Sequence, residues 1–435
     1  MMLEFDDEIL FDEASQEEPS LHEVRQNVVL AALDCGEADS EQSLAELHEL
    51  TRTAGGTVCA VVTQKLSAPV SATCFGSGRL AELAEYCENS GDIDLIIFDR
   101  ELTPTQLRNI EKATGVRVID RTMLILDIFA GRARSNEGKL QVELAQLKYM
   151  LPRLTGKGVE MSRLGGGIGT RGPGETKLET DRRHIHRRID SLKEKLGQVA
   201  ERRAQRRARR RKTGVVTAAI VGYTNAGKST LLNRLTGAEV LAEDMLFATL
   251  DPTSRALALP SGGSVTLVDT VGFIRRLPHH LVEAFKSTLE EALEADVLIV
   301  LCDASDPDVH DQLEVTRALL NELGAGSKPT VTVLNKCDMA CPEQLMGVQG
   351  VRISAKTGEG LDELIAAIEE ALPDRPVRVT MHFPFSSMGD ADVLRRAGEV
   401  LEEEYTADGL TLTALADKVT IARLSRYCVA EGAED

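Results

Sequence analysis

The chain has 435 residues, 43% of them apolar, and a formal net charge of −19. This length exceeds what one hydrophobic core usually organises, so we expect about two to four domains, and the acidity excludes a protein that coats nucleic acid with its whole surface. No apolar run approaches the roughly 18 residues that a membrane-spanning helix needs.

The N-terminal segment, residues 1–24, is acidic and predicts a disordered tail. A secretory signal would instead begin with basic residues and continue with an apolar stretch. The eight cysteines show no paired spacing, which is typical of free thiols in a reducing compartment. We therefore expect a cytoplasmic protein without stable membrane insertion. We also expect a monomer.

Residues 25–135 alternate short apolar runs with amphipathic stretches, which predicts strands and helices in turn. The runs VVLAAL, TVCAVV, LIIFD and VRVID have the length and composition of buried strands. Such an alternation is typical of a small parallel sheet with helices packed on it. We find no catalytic constellation in this N-terminal subdomain.

Residues 136–212 are predicted to form a helical hairpin with a glycine-rich tip. Apolar residues recur at helical spacing in NEGKLQVELAQLKYML, and a long polar helix is predicted from Leu178 to about Lys212. Between Arg182 and Lys212 the sequence has 14 Lys or Arg residues and three acidic ones. One segment of an acidic chain is therefore strongly basic.

Residues 213–373 predict a second α/β domain, and residues 374–435 predict a small C-terminal α/β unit whose role the sequence does not indicate. Strand signals in the second domain alternate with helices. They occur in VVTAAIVG, SVTLVDT, DVLIVLCD, PTVTVLNK and VRISA. The whole chain is thus assigned to the α/β class.

A phosphate-binding loop follows the first of these strands. AAIVG leads into GYTNAGKS and then into a helix, which is the context that the phosphate-loop pattern requires and which disfavours a chance glycine loop. Lys228 would reach the β- and γ-phosphates and the Ser229 hydroxyl would bind Mg²⁺, beside the positive N-terminal end of the helix. The predicted contacts are Gly222, Tyr223, Thr224, Asn225, Ala226, Gly227, Lys228 and Ser229.

Two further segments predict the rest of the magnesium site. Asp269 ends the strand SVTLV, where its carboxylate can bind the magnesium shell, and Gly272 can approach the γ-phosphate through its N–H. LFATLDPT offers Thr249 as the hydroxyl that closes over Mg²⁺ when the γ-phosphate is present, with Thr253 as the competing candidate. The expected nucleotide contacts here are Phe247, Ala248, Thr249, Leu250, Asp251, Asp269, Thr270, Val271 and Gly272.

A guanine-selecting motif, NKCD, follows the strand TVTVL. The carboxylate of Asp338 can accept two N–H bonds from guanine, whereas adenine presents a mismatched edge, and such a site discriminates by about 10⁴ to 10⁵. A backbone N–H for guanine O6 is expected after VRI. The predicted base contacts are Asn335, Lys336, Cys337, Asp338, Ser354, Ala355 and Lys356. An ordinary turn would explain NKCD in isolation, but the order of the motifs predicts a GTPase.

Two departures bear on catalysis. Phe273 occupies the position where many GTPases have a water-orienting Gln, and a phenyl ring cannot position water by hydrogen bonding. We therefore expect slow intrinsic hydrolysis, with only Lys228 and Gly272 assigned to transition-state contacts and no arginine finger. Asn225 is placed as in the potassium-activated GTPases, to which the GYTNAGKS loop is similar, so K⁺ is a candidate activator.

The glycine-rich tip offers competing interpretations. Gly167, Gly169 and Gly172 fit GxGxxG, but they follow a helix and a polar loop, so we reject a dinucleotide site. A flexible linker and a solvated helix face are the plain alternatives. Basic residues beside small ones instead suit insertion into structured RNA, and the scarcity of aromatics favours recognition of shape and backbone. The candidate RNA contacts are Arg153, Lys157, Arg163, Arg171, Lys177, Arg182, Arg183, Arg187 and Arg188.

The segments GGGIGTRGPGETKLETDRR, GYTNAGKS, FATLDPT, DTVGF and NKCD together resemble the HflX family of ribosome-associated GTPases, from Val28 to about Leu372. The resemblance implies a nucleotide-binding-like α/β subdomain joined to a helical hairpin, followed by a P-loop GTPase domain. It also implies binding to the large ribosomal subunit, with the glycine-rich tip reaching toward the peptidyl transferase region. A role in splitting or rescuing stalled ribosomes under stress follows from the same resemblance.

The main alternative is a GTP-dependent switch outside translation that acts on a protein or membrane partner, with the hairpin as an interaction arm. A separate enzyme in the N-terminal subdomain is a weaker alternative, because that segment lacks a catalytic constellation. The sequence leaves open whether the protein also uses ATP.

Overall fold

The structure is a computed structural model that describes residues 26–36, 40–154, 177–212, 216–237, 245–247, 249–260, 264–275, 292–341, 345, 347–372 and 377–429. The chain divides into two compact units, Met1–Leu124 and Ile125–Asp435. The predicted acidic tail and most of the glycine-rich tip lie outside the described residues. So do four of the predicted site residues, namely Lys157, Arg163, Arg171 and Ala248.

The first unit contains a four-stranded parallel sheet, as the alternating pattern predicts. Its strands lie in the order β2-β1-β3-β4. They are β1 (Asn27–Asp34), β2 (Thr57–Lys65), β3 (Leu95–Phe98) and β4 (Arg117–Asp120), and the helices are α1 (Ser40–Thr53), α2 (Ser77–Ser90) and α3 (Pro104–Thr114). Leu83 of α2 and Ile110 of α3 pack on the sheet residues Val29 and Phe98, which forms the core of the unit.

Helix α4 (Arg121–Arg132) leads to the hairpin helices α5 (Asn136–Met150) and α6 (Lys177–Lys212). Arg188 of α6 forms a bidentate pair with Glu143 of α5, at 2.6 and 2.8 Å. A second pair joins Arg203 to Glu137 at 2.9 Å. Because the residue numbers run in opposite directions along the two helices, the hairpin is antiparallel. The two predicted hairpin helices are therefore confirmed.

The next domain contains a six-stranded sheet in the order β10-β9-β8-β5-β7-β6. All neighbours are parallel except β6 and β7. The strands are β5 (Val216–Gly222), β6 (Thr253–Ala258), β7 (Ser264–Asp269), β8 (Val297–Asp303), β9 (Thr330–Asn335) and β10 (Val351–Arg352), and the helices are α7 (Lys228–Thr236), α8 (Val309–Glu322) and α9 (Leu361–Ala371). The near-continuous burial of β5 and β8 is typical of central strands covered on both faces.

The C-terminal unit is a three-stranded antiparallel sheet in the order β11-β13-β12, with short helices on it. Its elements are β11 (Val377–Pro384), α10 (Met388–Ala397), β12 (Glu399–Tyr405), β13 (Gly409–Ala416) and α11 (Lys418–Leu424). Phe383, Leu394 and Leu412 are fully buried in its core. Across the described parts of the chain, none of the helices has the length and apolar composition to cross a membrane.

Candidate functional site

The phosphate loop connects the C-terminal end of β5 to α7, and Gly222 allows it to form. Gly222 has φ +155°, and a Cβ atom there would lie 2.1 Å from the carbonyl oxygen of Leu301 on β8. Only glycine can pass the neighbouring strand at this distance, so β5 can end in a tight turn toward α7. The C-terminal edge of a parallel sheet is where such folds bind ligands.

An open cavity lies over this loop. Nine of its lining residues were predicted as nucleotide contacts, and the sequence did not single out the other two, Thr230 and Met245. The cavity is lined by Thr224, Asn225, Gly227, Lys228, Ser229, Thr230, Met245, Phe247, Thr249, Thr270 and Gly272. It therefore covers the phosphate and magnesium side of the predicted site.

Lys228 is held at the floor of the loop. Its side chain is only 7% exposed, and Nζ donates to the carbonyl oxygens of Tyr223, at 2.8 Å, and Gly222, at 3.3 Å. Burial lowers the pKa of Lys228 to about 8, although the charge of Asp269 opposes this shift. A phosphate group in the cavity would add negative charge beside the buried ammonium and so stabilise its charged form.

Three oxygen-bearing side chains meet beside Lys228. Ser229 Oγ donates to Asp269 Oδ2 at 2.6 Å and lies 2.7 Å from Thr249 Oγ1. Asp269 Oδ1 is buried and has no hydrogen-bond partner among the described residues. Burial raises the pKa of Asp269 above its ordinary value, with Lys228 acting in the opposite direction. Two hydroxyls and a carboxylate fit Mg²⁺, which prefers oxygen ligands and retains water.

The two candidate threonines lie in different places. Thr249 has its hydroxyl at Ser229, whereas Thr253 begins β6 and pairs through its backbone with Asp269. Thr253 is not among the residues that line the cavity. The geometry thus favours Thr249 as the magnesium-closing hydroxyl.

Phe273 joins the DxxG segment to the phosphate loop through its backbone. Its N–H donates to the carbonyl oxygen of Gly222 at 3.0 Å, and its own carbonyl oxygen accepts the N–H of Thr224 at 2.7 Å. The ring is 1% exposed, so it occupies the core and cannot orient a water molecule in the cavity. A further contact that the sequence did not reveal joins the Arg275 N–H to the Tyr223 hydroxyl at 2.6 Å.

Asn335 connects the phosphate loop to the guanine-side loop. Its Nδ2 donates to the carbonyl oxygen of Ala226 at 2.8 Å, and its Oδ1 accepts the N–H of Ala355 at 2.9 Å. Gly227 makes room for this amide, because a Cβ there would lie 2.4 Å from Asn335 Nδ2. Asn335 therefore orients both loops, a role that the motif alone did not indicate.

The other guanine-side residues surround this amide. Lys336 has φ +64°, and its Nζ lies 2.7 Å from Asp303 Oδ2. The Cys337 N–H donates to the carbonyl oxygen of Ile353 at 3.1 Å, which ties the end of β9 to the Ser354–Lys356 turn. Asp338 and Lys356 are exposed, and Ser354 is fully buried.

Two predicted contacts lie away from the cavity. Asp251 directs its carboxylate to the backbone N–H groups of Arg134 and Ser135, at 2.9 and 2.7 Å. Leu250 is buried, and neither residue lines the cavity. Their physical role in this structure is to pack and hold the segment that carries Thr249.

The predicted RNA-binding residues fall into two groups in the described part of the hairpin. Arg153 stacks on the Tyr149 ring at 3.4 Å, and Arg188 is paired with Glu143. Arg183 and Arg187 are exposed on α6, with Arg182 half-buried beside them and Lys177 at the first helical position. Arg183 and Arg187 thus form an exposed basic surface in the first turns of α6.

Comparisons with known proteins find both family models and solved structures that are similar to this chain. Three family models match in succession: "GTP-binding GTPase N-terminal" at residues 41–130, "GTP-binding GTPase Middle Region" at 132–210 and "50S ribosome-binding GTPase" at 217–336. Among solved structures, the SsGBP–GDP complex is similar, with a TM-score of 0.46 and 26% identity, over 79% of this chain and 98% of that chain. A GTP-binding protein from Sulfolobus solfataricus in complex with GDP has a TM-score of 0.43, at 26% identity, over 80% and 98%.

Curated relatives cover nearly the whole chain. GTPase HflX of Caldanaerobacter subterraneus subsp. tengcongensis is 51% identical over 390 residues, which are 90% of this chain and 91% of the relative. GTPase HflX of Escherichia coli is 44% identical over 79% of this chain and 82% of the relative. These relatives and the three matching family models show that the chain belongs to the HflX family of GTPases.

Proposed function

We propose that this GTPase acts as a cytoplasmic monomer that binds the large ribosomal subunit and uses GTP binding and hydrolysis to split or rescue stalled ribosomes under stress. The observation that carries the proposal is the strongly basic hairpin helix α6 attached to a GTP site, in a chain whose net charge is −19. The matching "50S ribosome-binding GTPase" model supports the choice of partner. Arg183 and Arg187 are exposed to contact RNA phosphates.

The site residues divide the work of hydrolysis. Ser229 and Thr249 would hold Mg²⁺, and Asp269 would bind its water shell; the bound ion would supply positive charge beside the β- and γ-phosphates. Lys228 and the N–H of Gly272 stabilise charge that develops on the transferred phosphoryl group. Phe273 leaves the attacking water without a side chain to orient it. The free protein therefore holds GTP until a partner completes the site.

Large ribosomal subunits are the proposed partner, and the rate of GTP hydrolysis tests this. We expect saturating subunits to raise the turnover number for GTP hydrolysis at least about tenfold. Completing a GTPase site with an arginine finger raises kcat by about 10³ to 10⁵ in other systems. Lys228→Ala provides the control for contaminating GTPases in the subunit preparation. Unchanged turnover with saturating subunits contradicts the proposed function.

Asn225 is the residue through which K⁺ would act. It lies at the cavity rim in the left-handed region, with φ +60°, and its side chain is exposed. A monovalent cation beside it would place positive charge near the phosphates, as an arginine does in other GTPases. The same turnover assay in K⁺ and in Na⁺ tests this, and equal rates remove K⁺ from the mechanism.

A further inference from the structure

The carboxylate of Asp251 binds the start of the hairpin helix α5. Asp251 lies two residues after Thr249, and its Oδ2 accepts N–H bonds from Arg134 and Ser135, at 2.9 and 2.7 Å. Its Oδ1 accepts the hydroxyl of Ser135, which is the N-cap of α5 and accepts the N–H of Gly138 at 2.9 Å. The segment that carries Thr249 thus places the negative charge of Asp251 at the N-terminus of α5. The helix dipole stabilises negative charge at this end.

Gly138 makes this approach possible. A Cβ atom at this position would lie 2.6 Å from Asp251 Oδ1. Glycine in the first turns of a helix costs conformational entropy relative to alanine, so its helical propensity does not explain its presence here. The space that it leaves is the space that the carboxylate occupies.

The residues that precede Thr249 in the sequence pack against α4. The Phe247 ring packs edge-on against Phe129, with the ring centroids 4.7 Å apart and the planes at 74°. Arg132 Nη2 lies 3.2 Å from Met245 Sδ. Phe247 has φ +56°, a backbone conformation that a bulky residue adopts only when its surroundings impose it.

Residues 245, 247 and 251 therefore contact α4 and the start of α5, while Thr249 between them faces Ser229 in the nucleotide cavity. The N–H of Phe247 also donates to the Thr224 hydroxyl of the phosphate loop at 2.9 Å. One short segment thus has the magnesium site on one side and the base of the hairpin on the other.

We propose that Ser135 and Gly138, which lie outside the GTPase domain, are positioning residues for Thr249, and that the Asp251 contact couples the γ-phosphate to the base of the basic hairpin. GTP with Mg²⁺ stabilises the inward position of Thr249, and the start of α5 stabilises the same segment through Asp251. Because both interactions stabilise the same conformation of the segment, each one strengthens the other by the same factor. GDP lacks the γ-phosphate that draws Thr249 inward, so the coupling distinguishes GTP from GDP.

Gly138→Ala tests this coupling in the full-length protein without ribosomes. The methyl group displaces the carboxylate of Asp251, whereas alanine favours the helix itself, so loss of folding is not the expected effect. We expect the affinity for a fluorescent non-hydrolysable GTP analogue with Mg²⁺ to fall at least about fivefold, within the usual range of coupling between sites, with GDP affinity within about twofold of wild type. Gly197→Ala in α6 is the matched control, because nothing lies within 4 Å of a Cβ there, and it should change neither affinity.

Ser135→Ala and Ser135→Thr supply an independent pair of variants. Alanine removes the hydroxyl that Asp251 accepts, and threonine retains it, so only the first should weaken binding of the GTP analogue. Thr103→Ala, which removes the N-cap of α3 in the first unit, controls for the loss of a helix cap. Wild-type analogue affinity in both Gly138→Ala and Ser135→Ala overturns the proposal, as does an equal loss of analogue and GDP affinity. Since no ribosome is present, this outcome is independent of the proposed ribosomal function.

Discussion

Asp338→Asn is expected to lower the affinity for GTP by on the order of a thousandfold and to create affinity for xanthine nucleotides. The carboxylate of Asp338 would accept two N–H bonds from guanine, and each such charge-assisted bond would contribute about 1.5 to 3 kcal/mol. Asparagine keeps one acceptor and turns an NH₂ group toward guanine's own NH₂. Losses of about 3 to 5 kcal/mol correspond to factors of about 10² to 10⁴ in affinity.

Xanthine provides the rescue for this substitution. It has a carbonyl oxygen where guanine has the NH₂ group, so the asparagine amide can donate to it while still accepting the ring N–H. Competition titrations with GDP and XDP measure both effects. Asp362→Asn, an exposed carboxylate on α9 of the same domain, is the control and should leave both affinities unchanged. Wild-type preference for guanine in Asp338→Asn would falsify the assignment of the base-selecting residue.

Lys228→Met is expected to weaken GDP and GTP binding by about thirtyfold to a few thousandfold. Truncating one partner of a buried charge pair costs about 2 to 5 kcal/mol, and the Lys228 ammonium is buried with its donors aimed at the phosphate loop. Isothermal titration calorimetry with GDP measures the loss. The conservative variant Lys228→Arg keeps the charge but not the point-like ammonium, so it should bind more weakly than wild type and more tightly than Lys228→Met.

The same lysine gives the nucleotide-free protein a pH dependence with a definite sign. The pKa of Lys228 is lowered from 10.5 to about 8 in the folded chain, so the unfolded chain binds more protons between these values. The free energy of unfolding therefore gains about 1.4 kcal/mol per pH unit from this group as the pH rises from 8 toward 10.5. Denaturant titrations of wild type and Lys228→Met, taken as a difference at each pH, isolate this contribution. A flat difference profile contradicts the shifted pKa.

Features dictated by adjacent residues could be predicted from the sequence. Glycines in GYTNAGKS permit the turn that β5 must make, and the order of strand, loop and helix fixes the places of Lys228 and Ser229. The parallel pairing in the first unit followed from the alternation of strand and helix signals. The strand order β2-β1-β3-β4 did not, because it depends on crossover connections that local patterns do not encode.

Contacts between residues distant in sequence could not be predicted. Asn335 bonds to Ala226, 109 residues away, and Asp251 bonds to Ser135, 116 residues away. The sequence predicts both residues as nucleotide contacts. In the structure, each instead bonds to the backbone of a distant segment. The local sequence shows which polar side chain stands at the end of which strand. Its hydrogen-bond partner depends on how separate elements pack together. Phe273 could be predicted only in part. The sequence shows that its ring cannot hydrogen-bond a water molecule, but not that the ring is buried.

Co-sedimentation with purified large ribosomal subunits tests the central claim most directly. We predict that the full-length protein pellets with the subunits in the presence of a non-hydrolysable GTP analogue and much less with GDP, because GTP favours the bound state. A variant that lacks residues 165–174 should keep its nucleotide affinity and lose ribosome-stimulated hydrolysis. Absence of the protein from the pellet in both nucleotide states would contradict the proposed ribosomal function.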